Sequence, residues 1–248
     1  MAKITAKRIG RRILKIFDKI NRHTAVSDRL YSHEDVPMSN LVSHSNFMQF
    51  VIEKGNREGL RVLEIGSREV TAPLGIKKFF NKAEYIGFDY YPGANVDVVG
   101  DAHKLSEYFD EPFDLVYSSA VFEHLAMPWI VATEIAKILK VGGTLAIETH
   151  FSFSSHERPW HFFHYTDMAL KALFSPALGF KCIEAGFSNP VVGRFSNQAD
   201  AHLKGKKVTG LYCHSEYLGE KVEDIQNFDW KNVELDNVVA DSRYPAPK

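Results

Sequence analysis

From Arg61 onward the chain alternates short apolar runs with amphipathic stretches, and this alternation is its strongest structural signal. Apolar runs at residues 61–65, 84–88, 96–99, 113–117 and 144–148 predict strands, and the segments between them read as helices or turns, the pattern of βαβ units. The run Phe113-Asp114-Leu115-Val116-Tyr117 is apolar at nearly every position, as a strand covered on both faces of a parallel sheet must be. Helices must then lie on both sides. The clearest follows Pro128, with Ile130, Val131, Ile135, Ile138 and Leu139 at helical spacing, and stops before Gly142-Gly143. Another is predicted to start at Thr166-Asp167, with Thr166 as its cap and Leu170, Leu173 and Phe174 turned inward. Residues 180–185 and 208–213 are predicted as closing strands.

Residues 1–20 carry Lys3, Lys7, Arg8, Arg11, Arg12, Lys15 and Lys19 against Asp18 alone, with Ile4, Ile9, Ile13, Ile16, Phe17 and Ile20 on one helical face. Two readings follow: a helix packed on the domain with its basic face in solvent, or peripheral contact with an anionic membrane surface. The chain divides into an N-terminal helical region (1–55), an α/β domain (56–220) and a polar C-terminal tail (221–248) that ends Pro-Ala-Pro-Lys. Its 248 residues leave room for one sizeable core, and a net charge of -1 supplies no global field for nucleic acid. Cys182 and Cys213 are too few for a disulfide scaffold and too far apart for a zinc knuckle, which fits a reduced, cytoplasmic setting. No apolar run approaches the ~20 residues of a membrane span, and no signal-like apolar segment with a cleavage site follows the basic start. A protein neither exported nor membrane-spanning is therefore expected.

In an open parallel sheet, ligands bind at the carboxyl ends of the strands, so the residues just after each strand carry the chemistry. The first strand runs into Glu64-Ile65-Gly66-Ser67-Arg68, where the glycine lets a ligand approach the backbone. The second ends at Asp89, where a carboxylate can accept from both hydroxyls of a ribose. The third leads to Asp101-Ala102-His103, with an acid for an adenine amino group and a backbone N–H for the ring. The fourth runs into Ser118-Ser119 and then Glu123-His124-Leu125. Four acids, Glu64, Asp89, Asp101 and Glu123, thus share one rim.

Five segments in order make a more specific match. Val62-Leu63-Glu64-Ile65-Gly66, Tyr85-Ile86-Gly87-Phe88-Asp89, Gly100-Asp101-Ala102, Phe113-Asp114-Leu115-Val116 with Glu123-His124-Leu125, and Leu139-Lys140-Val141-Gly142-Gly143-Thr144-Leu145 together resemble the class I S-adenosylmethionine-dependent methyltransferases, in particular those acting on small molecules, lipids and sugars. The resemblance implies a Rossmann-like, seven-stranded, mostly parallel sheet with helices on both faces, plus the N-terminal helical extension. It implies S-adenosylmethionine as cofactor and S-adenosylhomocysteine as product. Glu64, Gly66, Ser67 and Arg68 would hold the methionine part, Asp89 and Tyr90 the ribose, and Asp101, Ala102 and His103 the adenine, with Ser118, Ser119 and Glu123 lining the floor. The sequence departs from the family at Arg68 and Val70, which stand where its first loop usually has glycines. The cofactor has no phosphate, so no glycine-lined anion cradle is needed. Arg68 can instead meet the methionine carboxylate. The same departure excludes a nicotinamide dehydrogenase, whose pyrophosphate turn needs Gly-x-Gly-x-x-Gly.

Four of the 11 histidines, His150, His156, His161 and His164, fall after the fifth strand among Phe151, Phe153, Trp160, Phe162, Phe163 and Tyr165. His124 and His150 are the candidate bases for an acceptor hydroxyl. His156, Trp160, His161, His164 and Tyr165 are the candidate substrate-binding residues. No metal is assigned, because histidine spacing without a fixed acidic partner does not define a site. The expected activity is methyl transfer to an oxygen or nitrogen of a small molecule or saccharide-type metabolite, with no nucleic-acid partner and homo-oligomerisation left open. Two other classes stay in view: a non-catalytic binding or regulatory protein on the same fold, and a nucleic-acid methyltransferase, which would need a basic face beyond the N-terminus.

Overall fold

The computed structural model describes residues 36–70 and 75–238. The predicted basic helix over 1–20 and the proline-containing C-terminal tip lie outside them. Among the described residues nine strands form, β1 (Arg61–Ile65), β2 (Glu84–Asp89), β3 (Val98–Val99), β4 (Phe113–Ser119), β5 (Leu139–His150), β6 (Phe180–Pro190), β7 (Gly193–Arg194), β8 (Lys207–Val208) and β9 (Tyr212–Lys221). The helices are α1 (Phe47–Gly55), α2 (Pro128–Ile138), α3 (Asp167–Leu173) and the short α4 (Leu235–Val238). Seven strands make one sheet in the order β3-β2-β1-β4-β5-β9-β6. Neighbouring strands from β3 to β5 are parallel, and β9 runs antiparallel between β5 and β6. The strand order reverses between β1 and β4, which places a crevice at their carboxyl ends.

Both sheet faces are buried. Val62, Tyr85, Leu115, Tyr117 and Leu218 pack with Val42, Ile76, Phe80 and the Phe47 and Val51 side chains of α1. Leu63, Ile65, Phe88, Val116, Leu145 and Tyr217 pack on the other side, with Val131 and Ile135 of α2 and Leu170 of α3. The Thr166 hydroxyl accepts from the Ala169 N–H at 3.0 Å and so starts α3 as predicted. Leu139, predicted on the helix, is instead the first residue of β5, so helix and strand join without a loop. The carbonyls left open at that junction are met by the buried Lys221 ammonium, at 2.5 Å from Ala136 O and 2.7 Å from Leu139 O.

The last strand was misplaced by its pattern. Only Tyr212 and Cys213 of the predicted run 208–213 belong to β9, while Lys207 and Val208 pair with β7 in a separate ribbon. Gly210, at φ +71°, breaks the run, and β9 buries Ser215 and Glu216 where a core strand would be expected to show apolar residues. The third strand is shorter than its run, holding only Val98 and Val99.

Among the described residues of the N-terminal region, 36–55, the helix is α1. Before it, Met38 forms a parallel bridge to Phe187 on the edge strand β6, with Ser39 N donating to Phe187 O at 2.9 Å. The Glu184 carboxylate accepts from the N–H groups of Asn40, Leu41 and Val42 at 3.0, 2.9 and 3.1 Å. Glu216 accepts from Ser39 Oγ at 2.9 Å, from His44 N at 3.2 Å and from the Ser188 hydroxyl. Two carboxylates thereby strap residues 37–44 onto the sheet and carry His44 to its carboxyl rim. At the other end, the Trp230 indole donates to Trp129 O and Thr133 Oγ1, both at 3.1 Å, which ties the described part of the tail to α2. Among the described residues, no helix is long and apolar enough to cross a membrane.

Two outcomes follow. Lys221→Met leaves the Ala136 and Leu139 carbonyls unpaired, which costs about 1–3 kcal/mol; the urea midpoint should fall with its slope unchanged, and an unchanged midpoint contradicts the capping role. Glu216 is fully buried, and burial with the nearby Glu148 charge lifts its carboxyl to about 7, against the serine and His44 bonds that pull it down. Because the folded value lies above the ordinary 4.5, the unfolded chain releases this proton first, and the group's contribution to stability declines as pH rises from about 4.5 to about 7. Glu216→Gln should flatten the stability profile across that window, as measured by denaturation at a series of pH values, and an unchanged slope would refute the assignment.

Candidate functional site

The turn after β1 is built around Gly66 at φ +86°, where an added Cβ would lie 2.1 Å from Val121 Cγ2, so the loops after β1 and β4 close on each other there. Glu64 receives Tyr117 Oη at 2.7 Å, Asn95 Nδ2 at 3.4 Å and the Tyr85 hydroxyl, all on Oε2. Burial raises its pKa against the pull of these donors. Asp89 ends β2, with Oδ1 accepting from Tyr91 N at 3.0 Å and Oδ2 from Arg68 N at 3.2 Å, so two main-chain amides hold the carboxylate at the rim. Arg68 Nε stands 3.4 Å from Asp89 Oδ1, and the guanidinium lies over the Tyr91 ring at 5.4 Å. Tyr90 is exposed beside it.

Asp101 accepts from His103 N at 3.0 Å and from His103 Nδ1 at 2.7 Å, while His103 Nε2 accepts from Met127 N at 3.2 Å. A carboxylate can only accept, so the ring proton is on Nδ1 and His103 braces the turn after β3 against the loop before α2. Burial raises the Asp101 carboxyl, but the His103 bonds and the Lys104 charge outweigh it and hold its pKa below the usual range. Ala102 is nearly buried at the same turn.

These donors and acceptors fit the expected cofactor. Asp89 offers carboxylate oxygens for a ribose diol, and both named bonds to Asp101 fall on Oδ1, leaving Oδ2 for an amino group. Ser67 Oγ and Arg68 Nε are buried without a hydrogen-bond partner, donors suited to the methionine end.

Beyond β4 and β5 the histidines gather. Glu123 is fully buried, its Oε2 accepting from Thr149 Oγ1 at 2.7 Å and its Oε1 lying 2.8 Å from His150 Nδ1. His124 Nδ1 meets Trp160 O at 2.5 Å and His156 Nδ1 meets Ser154 O at 2.9 Å. The His161 ring packs 4.5 Å from His156 and 5.0 Å from His164. Burial lowers the pKa of both His161 and His164, with neighbouring imidazoles adding to it. The chain segment is anchored by Phe162 N and Phe163 N on the Glu123 carbonyl and by Tyr165 N on the His150 carbonyl.

Three expected roles change with these positions. Ser118 is fully buried and its hydroxyl donates to Ile65 O at 3.0 Å, so Ser119 alone of the pair remains near the rim, donating to Glu148 Oε1 at 2.8 Å. Tyr165 belongs to the core, with its hydroxyl on Phe122 O at 3.0 Å, and lines no open surface. Glu123, expected beneath the cofactor, is enclosed by Thr149 and His150. Trp160 is 63% exposed.

The rim also holds residues that no motif announced. His44 Nδ1 donates to Glu148 Oε2 at 2.9 Å, and its ring stacks on His214 at 4.0 Å. The Glu148 bond raises the His44 pKa against the effect of burial. His44 and His214 lie 104 and 66 positions from Glu148 along the chain, so only the strap and the antiparallel β9 bring them together. The one local signal was Glu148 itself, two residues before His150 at the end of β5.

The family model described as "Methyltransferase domain" matches residues 63–147, from β1 through most of β5. Among solved structures, the YcgJ protein from Bacillus subtilis is 17% identical with a TM-score of 0.51, covering 73% of this chain and 100% of that one. A S-adenosylmethionine-dependent methyltransferase from Archaeoglobus fulgidus is 18% identical with a TM-score of 0.52, covering 71% and 92%. At such identities the structures attest the fold, and no curated protein matches in sequence. The sheet order and the matched segment agree: residues 63–147 match a methyltransferase domain, on a fold shared with S-adenosylmethionine-dependent methyltransferases, and that match implies S-adenosylmethionine as the cofactor.

Proposed function

We propose that the protein transfers a methyl group from S-adenosylmethionine to an oxygen or nitrogen of a small-molecule or saccharide-type acceptor. The observation that carries this reading is the continuity of one rim. Carboxylates stand at the ends of β2 and β3, and a cluster of histidines and aromatic rings gathers beyond the ends of β4 and β5. When bound, the cofactor supplies a methyl carbon on a sulfonium, whose C–S bonding pair leaves with the sulfur as the acceptor's lone pair forms the new bond. Such an electrophile asks the protein mainly for alignment.

The acceptor proton needs a destination, and His44 is the best placed. Its Nδ1–H is given to Glu148, which fixes the tautomer and leaves the Nε2 lone pair on a ring whose side chain is 50% exposed. His150 was an expected base, but its side chain is 10% exposed and Nδ1 faces Glu123. His124 keeps Nε2 unprotonated once Nδ1–H is given to Trp160 O, and is held in reserve by that geometry for the acceptor side. Phe153 and Trp160 are exposed aromatic side chains beside the histidines, suited to the apolar face of a sugar ring. Both cysteines are free, in keeping with a reduced, cytoplasmic setting.

Calorimetric titration with S-adenosylmethionine and S-adenosylhomocysteine tests the reading. Asp89→Ala removes charged acceptors worth about 1.5–3 kcal/mol, so affinity should drop by about tenfold or more. Folded wild-type protein that binds neither ligand, or a variant that binds as tightly, would count against it.

A further inference from the structure

We propose that Glu123, His150 and His156 hold a divalent transition-metal ion of the zinc class at the acceptor end of the rim, with the fourth position open to water or acceptor. One donor atom from each of Glu123, His150 and His156 lies within 4.8 Å of the other two, and His124 Nε2 is 4.0 Å from Glu123 Oε1. Bonds of about 2.0–2.2 Å to imidazole nitrogen and carboxylate oxygen span ligand separations a little shorter than this, so small side-chain rotations suffice.

Four observations separate this group from an ordinary cluster of polar side chains. The Glu123 and His150 side chains are 0% and 10% exposed, and their facing atoms Oε1 and Nδ1, ion-paired at 2.8 Å, make no well-formed hydrogen bond. Two buried polar atoms that converge without a well-formed hydrogen bond are both satisfied by a cation between them. The tautomers are also set for ligation. His156 Nδ1 faces the Ser154 carbonyl and His124 Nδ1 the Trp160 carbonyl, and because a carbonyl only accepts, both rings carry their proton there and leave Nε2 bare. The ring planes permit it as well, since His156 stands at 85° to His150 and at 89° to His124, and perpendicular rings share a line on which one ion can lie in both planes. Finally, Thr149 Oγ1 holds the other Glu123 oxygen at 2.7 Å and fixes the carboxylate.

The neighbouring set His44, Glu148 and His214 does not offer this. Its two rings are stacked at 4.0 Å with planes 13° apart, so no single ion lies in both. The expectation of no metal rested on the lack of a fixed acidic partner among the histidines of 150–164, and the fold supplies that partner as Glu123. Binding stands on the geometry of these side chains alone. Its part in the reaction, polarising an acceptor oxygen beside the His44 base, rests on the methyl-transfer reading above.

The test is equilibrium dialysis of chelator-stripped full-length protein against Zn2+, with bound metal counted by mass spectrometry, and Co2+ as a spectroscopic probe. One equivalent of tightly held Zn2+ is expected, with four-coordinate visible absorption for Co2+. Both Glu123→Gln and His156→Ala should weaken Zn2+ affinity tenfold or more. His156 is less enclosed than Glu123, so His156→Ala keeps the test decisive should Glu123→Gln fail to fold. Wild-type protein that holds no Zn2+, or folded His156→Ala that holds it as tightly, overturns the proposal. Titration of the stripped protein with S-adenosylhomocysteine separates failure of the metal site from failure of the methyltransferase reading.

Discussion

Burying carboxylates at the ends of a sheet that is apolar on both faces is the constraint on which the rest of this structure depends. The seven-stranded sheet packs side chains against helices on either side, so polar groups gather where the strands end. Glu64, Glu123, Glu148 and Glu216 all stand at or near that rim, and each needs donors because an unpaired buried charge is costly. The answers differ. Glu64 takes two tyrosines and an asparagine, Glu148 takes Ser119 and His44, Glu216 takes two serines and a backbone N–H, and Glu123 takes Thr149 on one oxygen only.

Those pairings organise more than local electrostatics. Glu216 and Glu184 hold residues 37–44 against β6, and that strap places His44 over Glu148. The Glu123 carbonyl and the His150 carbonyl receive the amides of Phe162 and Tyr165, so the histidine segment is folded back over the ends of β4 and β5. The rim is thereby divided. In the proposed reading, nucleoside chemistry falls to the ends of β2 and β3, and acceptor chemistry to the ends of β4 and β5 together with two segments remote in sequence. A cofactor and an acceptor bound on the two halves would meet at the loop that carries Glu123 and His124.

What the sequence revealed follows from where each signal is local. β1, β2, β4 and α2 are continuous apolar or helix-periodic runs, and Asp89 ends β2 while Asp101 follows β3 by two residues, so both elements and these acids were legible. β9 was not, because a strand between two antiparallel neighbours at the rim buries Ser215 and Glu216 and loses the apolar pattern that marks a core strand. The strap was read as helix because its fixation comes from Glu184 and Glu216, about 140 to 180 positions away. Tyr165 and Ser118 looked like ligand-facing residues since polar tips on rim residues say nothing about which backbone carbonyl they will satisfy. The pairing of Glu123 with His150 was missed for the same reason: 27 positions separate them, and only the parallel register of β4 and β5 brings them together.

The most direct measurement is a crystal structure of the complex with S-adenosylhomocysteine. The account predicts ribose hydroxyls on Asp89, the adenine at Asp101 and Ala102, and the sulfur directed toward the loop of Glu123 and His124. A ligand whose ribose lies away from Asp89, or whose sulfur points away from the histidine cluster, would contradict it.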